Sequence, residues 1–96
     1  MNILVLKQSD MREVFRMQDA VQADKDALSI YSAGKSVVPL RVNLDVPEHG
    51  GQSLYMPGYA AEANALGVKI VSVYPGNIEK GLTSVPATMV LVNNET

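Results

Sequence analysis

The hydrophobic period changes once along this chain, at Gly34, and that change limits what it can fold into. Before it, Met17, Ala20, Val21, Ala27, Leu28 and Tyr31 recur at three- and four-residue spacing, with Asp19, Gln22, Lys25 and Asp26 off the stripe. That is the pattern of an amphipathic helix. After it, Val38, Leu40, Val42, Leu44 and Val46 alternate with Pro39, Arg41, Asn43 and Asp45, the period of a strand with one apolar face. Helices first and strands after predict an α+β fold, with N-terminal helices packed on an antiparallel or mixed sheet. The helix is expected to end near Ala33, with Gly34 as a left-handed cap and Lys35 beside the negative end of the helix dipole.

The remaining segments fill in the order of elements. Ile3 to Leu6 reads as a short strand, and Ser9-Asp10 offers an N-cap, with Glu13 three residues after Asp10, for a first helix whose apolar face is Met11, Val14 and Phe15. Pro47-Glu48-His49-Gly50-Gly51 is turn chemistry, from which Gln52 to Tyr59 returns as a hairpin partner. Ala60 to Asn64 fits a single helical turn. Leu66 to Tyr74 is apolar on both sides, with Lys69 its only charge, as expected of a central strand covered on both faces. Pro75-Gly76-Asn77 and Lys80-Gly81 punctuate a loop before a last strand over Val85 to Val92. Asn93-Asn94-Glu95-Thr96 reads as the opening of a hairpin turn, so a partner strand is expected beyond Thr96 and residues 1–96 read as a truncated domain.

Composition removes several classes of function. Ninety-six residues suit one domain and not two. Eight Lys and Arg against ten Asp and Glu leave a net charge of -2, with no basic excess to hold nucleic acid. No apolar run approaches the roughly 20 residues of a membrane-spanning helix, and the N-terminus lacks a signal-peptide pattern, so a cytoplasmic protein is expected. With no cysteine and one histidine, His49, neither a thiolate nucleophile nor a Cys- or multi-His-ligated metal site is expected.

Few residues carry chemistry. Lys69 either lines a pocket or sits at an edge from which its stem reaches water. Arg41 either holds a carboxylate by its planar fork or is a solvated partner of Asp45. Together they would make a cationic cradle for a small acid, although spacing does not establish that they converge. Gly34-Lys35-Ser36 lacks the upstream glycine of a phosphate loop, Ser29 standing there, and is assigned to the helix cap. His49 is either a general base at a substrate mouth or an exposed loop histidine, and the latter is favoured. No G-x-G-x-x-G is present, so no dinucleotide fingerprint is available.

Three segments in order, Val38-Pro39-Leu40-Arg41-Val42-Asn43-Leu44-Asp45, Tyr55-Met56-Pro57-Gly58-Tyr59 and Gly67 to Asn77, followed by Gly81 to Thr88, resemble the ornithine cyclodeaminase and mu-crystallin family. The resemblance covers essentially everything after the first helix. It implies the N-terminal substrate-binding and dimerisation part of a two-domain NAD(P)-dependent protein, the Rossmann domain lying outside residues 1–96. On that basis Arg41 and Lys69 match the pair that binds the substrate carboxylate, with Lys69 near the reacting amino or imino carbon, and Ser84 matches a hydroxyl-bearing substrate-side position more weakly. The activity implied is an imino-acid (ketimine) reductase or amino-acid dehydrogenase acting as a homodimer, with NAD(P) bound mainly by the other domain. Residues 1–96 alone are expected to lack turnover. Family cyclodeaminases resemble one another in a glutamate two residues before the Met-Pro pair, where this chain has Leu54. Conversion of ornithine to proline is therefore the lesser alternative, beside a non-catalytic amino-acid-binding or dimerisation module.

Overall fold

The computed structural model describes residues 1–96, which form two compact units, Met1–Gly34 and Lys35–Thr96. The fold class is α+β: two α-helices precede an antiparallel five-stranded sheet.

The first unit holds α1 (Gln8–Val14) and α2 (Met17–Ser32). Ile3 to Leu6 forms no strand and is 56–82% exposed, because an apolar run becomes a strand only when another backbone takes up its hydrogen bonds. The start of α1 also differs from expectation. Lys7 is the capping residue, and Asp10, inside the first turn, accepts the Lys7 N–H at 2.8 Å. The same device repeats at α2, where Asp19 accepts the Arg16 N–H at 2.9 Å. In both helices an aspartate in the first turn also suits the positive end of the dipole. The helix ends as predicted, with Ala33 as cap and Gly34 at φ +71°, a conformation glycine adopts without steric cost. The predicted stripe of α2 is largely uncovered, Met17, Leu28 and Tyr31 being more than 60% exposed, while Ile30 is the buried residue of the helix.

The second unit is the sheet: β1 (Ser36–Val37), β2 (Val42–Val46), β3 (Gly51–Ala60), β4 (Ala65–Val73) and β5 (Ala87–Leu91). Turns follow the sequence reading, with a 3₁₀ turn at Pro47–His49 and another at Ala61–Ala63. β4 pairs with β3 on one side and β5 on the other. β1 and β2 lie in succession along the other edge of β3.

The expected unbroken strand from Val37 to Val46 is split by Val38–Arg41. Pro39 falls in this gap, where the missing ladder bonds make its lack of an N–H harmless. Val37 pairs with Tyr59 and Val42 with Tyr55, so five steps on the edge strand match four on β3. One extra residue is accommodated, as in a β-bulge. The bulge shifts the alternation: Val37, not Val38, shares a face with Val42, Leu44 and Val46.

Register divides the strand positions into two faces. One carries Val42, Leu44, Tyr55, Val68, Ile70 and Val90 and has no charged residue at any strand position. The other carries Lys69 and Asp45, with Leu54, Met56, Val71 and Met89 around the lysine. Val71, at 8% exposure, is the buried residue of the sheet. β4 is central, as expected, but its two faces are only partly covered within this chain, and Lys69 is exposed.

Candidate functional site

The pairing of β4 fixes the position of Lys69. It stands opposite Met56 on β3 and Met89 on β5, and opposed residues in an antiparallel pair point to the same face. The first pair of β2, Val42 with Tyr55, aligns the preceding residue, Arg41, with Met56. Met56, Lys69 and Met89 therefore form one row across the sheet, and Arg41, which pairs with no strand, immediately precedes β2 at the β3 edge of that row. Two strand spacings put the Arg41 and Lys69 backbones about 10 Å apart, a gap that two long side chains can close onto a small ligand. The register thus brings Lys69 and the start of β2, next to Arg41, to the same end of the sheet.

Both cations are free of carboxylates. The chain's ion pairs within 4 Å are Arg16 with Asp19 and Lys35 with Glu62. Asp45, the candidate partner of Arg41, instead accepts a hydrogen bond from the Asn43 amide at 3.2 Å. Arg41 and Lys69 are both exposed; of the two alternatives for Lys69, its stem reaches water within this chain, although from the central strand β4 and not from an edge. Next to this row on the same face, Gly58 pairs with Gly67, so the sheet there presents bare backbone. On the other side of the row lie Leu54 and Val71. Lys69 is thus flanked by apolar residues and bare backbone, while the adjoining row ends at Asn43 on the β2 side next to Arg41. Two free cations beside apolar surface can hold an anionic group with a hydrocarbon portion.

Ser84 stands elsewhere. Its carbonyl accepts the Tyr74 N–H at 2.8 Å, aligning it with a position five residues beyond Lys69, about 17 Å along the strand. Asn77 braces this loop: its side-chain amide donates to the Thr83 carbonyl at 2.9 Å, and its own carbonyl accepts the Leu82 N–H. The brace was missed in the sequence, where Asn77 read only as punctuation. His49 lies at the same end of the sheet, in an open hollow of about 500 Å³ with Glu48, Tyr74, Gly76, Asn77 and Lys80. Histidine, aspartate and glutamate nowhere gather in threes, and no helix is long and apolar enough to cross a membrane.

Lys35, which the sequence assigned to the helix dipole, reaches Glu62 at 2.9 Å. A hydrogen bond and the charge of that carboxylate raise its pKa. This exposed pair ties the start of the edge strand to the β3–β4 turn.

Comparison with known proteins shows the family and the fold. The model of the ornithine cyclodeaminase/mu-crystallin family matches residues 1–96. The chain belongs to that family. Among its relatives, alanine dehydrogenase of Archaeoglobus fulgidus is 33% identical over the whole chain, and Delta(1)-pyrroline-2-carboxylate reductase of Bacillus cereus is 30% identical over 93% of it. The chain spans 29% and 27% of those two proteins. Among solved structures, Delta(1)-pyrroline-2-carboxylate reductase of Thermococcus litoralis, in complex with NADH and L-proline, superposes with a TM-score of 0.93 at 39% identity, over 98% of this chain and 29% of its own. An archaeal alanine dehydrogenase dimer with bound NAD gives 0.83 at 32% identity, covering 93% of this chain and 27% of its own. The relatives named above are thus a dehydrogenase and reductases of amino and imino acids, and an uncharacterized cyclodeaminase of Dictyostelium discoideum is 26% identical over 98% of the chain.

Proposed function

We propose that residues 1–96 supply the substrate-binding and dimerisation part of an NAD(P)-dependent imino-acid reductase or amino-acid dehydrogenase. Arg41 and Lys69 hold the α-carboxylate of a small amino or imino acid. The observation that carries this reading is that neither cation is paired with a carboxylate of the chain, with Lys69 opposite Met56 and Arg41 immediately before the β2 residue that pairs with Tyr55. The guanidinium presents two parallel N–H donors to a carboxylate, and the ammonium adds a compact charge with three. Lys69, the more central, orients the substrate's α-carbon and hydrogen-bonds at the reacting end. Ser84 enters through the family resemblance alone. These residues make no dinucleotide site of their own, for the chain has no glycine fingerprint. In this reading NAD(P) is held outside residues 1–96, and this chain's part is to bind and orient.

Reduction is favoured over ornithine cyclisation by Leu54, which shares the Lys69 face one row away and offers hydrocarbon where a distal ammonium would need an anion. Homodimerisation is supported by the uncharged face, whose Val42, Leu44 and Val90 are 43–54% exposed, and by the dimeric state of the archaeal alanine dehydrogenase.

The test is calorimetric titration of the complete protein with L-proline, NADH being present. Lys69→Ala and Arg41→Ala are each expected to weaken binding by about a hundredfold, the scale for removing one partner of a charged pair. Wild-type affinity in both variants would sink the cradle. Binding of L-proline without any NAD-dependent oxidation of it would instead support the non-catalytic module.

A further inference from the structure

Two glycines stand side by side on the Lys69 face, and the fold explains only one of them. Gly67, on β4, has no room for a side chain: a Cβ there would collide with the Val90 carbonyl and press on Leu91 of β5. Gly58, its partner on β3, is different. A Cβ on Gly58 would meet nothing closer than the Val37 carbonyl at 3.9 Å, an ordinary contact. Its φ is not positive, the glycines in that region being Gly34, Gly50 and Gly81. Neither backbone conformation nor packing within the chain requires glycine at position 58. Yet glycine in the interior of a strand weakens it.

A strand glycine marks a bulge, a tight bend, or the close approach of another backbone or a ligand. Here the extra residue lies in the Val38–Arg41 segment and not in β3, whose pairing with β4 is unbroken through Gly58. The nearest atom of the chain to the Cβ position is 3.9 Å away, which leaves the ligand. The register places this one where a ligand would come. Gly58 pairs with Gly67 while Met56 pairs with Lys69, so Gly58 is a diagonal neighbour of Lys69 on the same face, roughly 7–8 Å away. With Gly67 it forms a step of bare backbone beside the Lys69 row, bounded by Leu91 on β5.

We infer that Gly58 is a specificity-determining position. Its missing side chain makes room beside Lys69 for the hydrocarbon part of the ligand, and the space suits a substituent larger than a methyl group, such as a five-membered ring. This rests on the carboxylate-binding reading of Arg41 and Lys69 and adds to it which end of the ligand lies where. The carboxylate sits between the cations, and the carbon substituent lies over the glycine step.

The test compares Gly58→Ala with the wild-type protein, both complete and with NADH present, by calorimetric titration with L-proline and separately with L-alanine, together with thermal melts. The expected result is an unchanged or slightly higher melting temperature, about a tenfold loss of affinity for L-proline and less than about a threefold loss for L-alanine, the scale on which one methyl group discriminates in an apolar site. Equal effects on both ligands, or none, would overturn the proposal. So would a Gly58→Ala protein that fails to fold, because the glycine would then serve the backbone. A wild-type protein that binds neither acid would refute the carboxylate cradle itself, an outcome separable from the others because it needs no variant.

Discussion

At the scale of single residues, charges in this chain are distinguished by whether a partner is in reach. Lys35 has Glu62 at 2.9 Å; Arg41 and Lys69 have no carboxylate within 4 Å. The first is a structural pair and the others are available to a ligand. The pKa of Lys35 is raised from 10.5 by its hydrogen bond to Glu62 and by that group's charge. A lysine whose folded pKa lies above its unfolded one stabilises the fold fully below the unfolded value, and that contribution disappears as pH rises through the folded value. Lys35→Met should therefore lower the melting temperature slightly at neutral pH, and the difference from wild type should fade in buffers well above pH 10.5. A difference that persisted there would mean that the lysine acts through packing of its stem. The identity of Arg41 and Lys69 as candidates was legible in the sequence, from a lone charge in an apolar run and from family motifs. Their exposure was not, because an apolar strand does not say how much of its cover comes from its own chain.

At the scale of elements, the change of period at Gly34 correctly separated helices from strands, and the hairpin turns fell where Pro, Asn and Gly clustered. The errors have specific causes. Ile3 to Leu6 has strand-like residues but no strand beside it, and Asp10 serves the α1 start from within the first turn instead of ahead of it. The strand read as continuous from Val37 to Val46 is broken at Val38–Arg41, where one residue more than on β3 is accommodated, a shift that the alternation of Val38 and Leu40 does not reveal. Pairing of β5 with β4 depends on Gly67, whose Cβ position is taken by the Val90 carbonyl. Gly67→Ala should cost about 1–3 kcal/mol, the range for overpacking, read as a lower urea midpoint with faster amide exchange in Ala87–Leu91. Unchanged exchange there would show that β5 shifts without loss. The contrast with Gly58→Ala, which the backbone accommodates, is what separates a folding glycine from a binding one.

At the scale of the whole molecule, large apolar side chains remain at the surface of both units. On the sheet, the face opposite Lys69 has no charge at any strand position and leaves Val42, Leu44, Val90 and Tyr59 at 39–54% exposure. If a second copy covers it, Ile70→Glu should convert the complete protein from dimer to monomer in sedimentation velocity, since an unpaired carboxylate would be desolvated in the contact. A dimer that survives would move the interface elsewhere. Sequence alone determined the order and type of most elements, the absence of cysteine and of a dinucleotide fingerprint, and the residues worth suspecting, because these follow from local periodicity and residue chemistry. Only the tertiary structure decided that Lys69 stands between Met56 and Met89 with Arg41 at the start of the neighbouring edge strand, that Ser84 lies about five residues of strand away from Lys69, and that Gly58 is free of steric need. Each of these depends on strand register, which is set by pairing between segments distant in the chain.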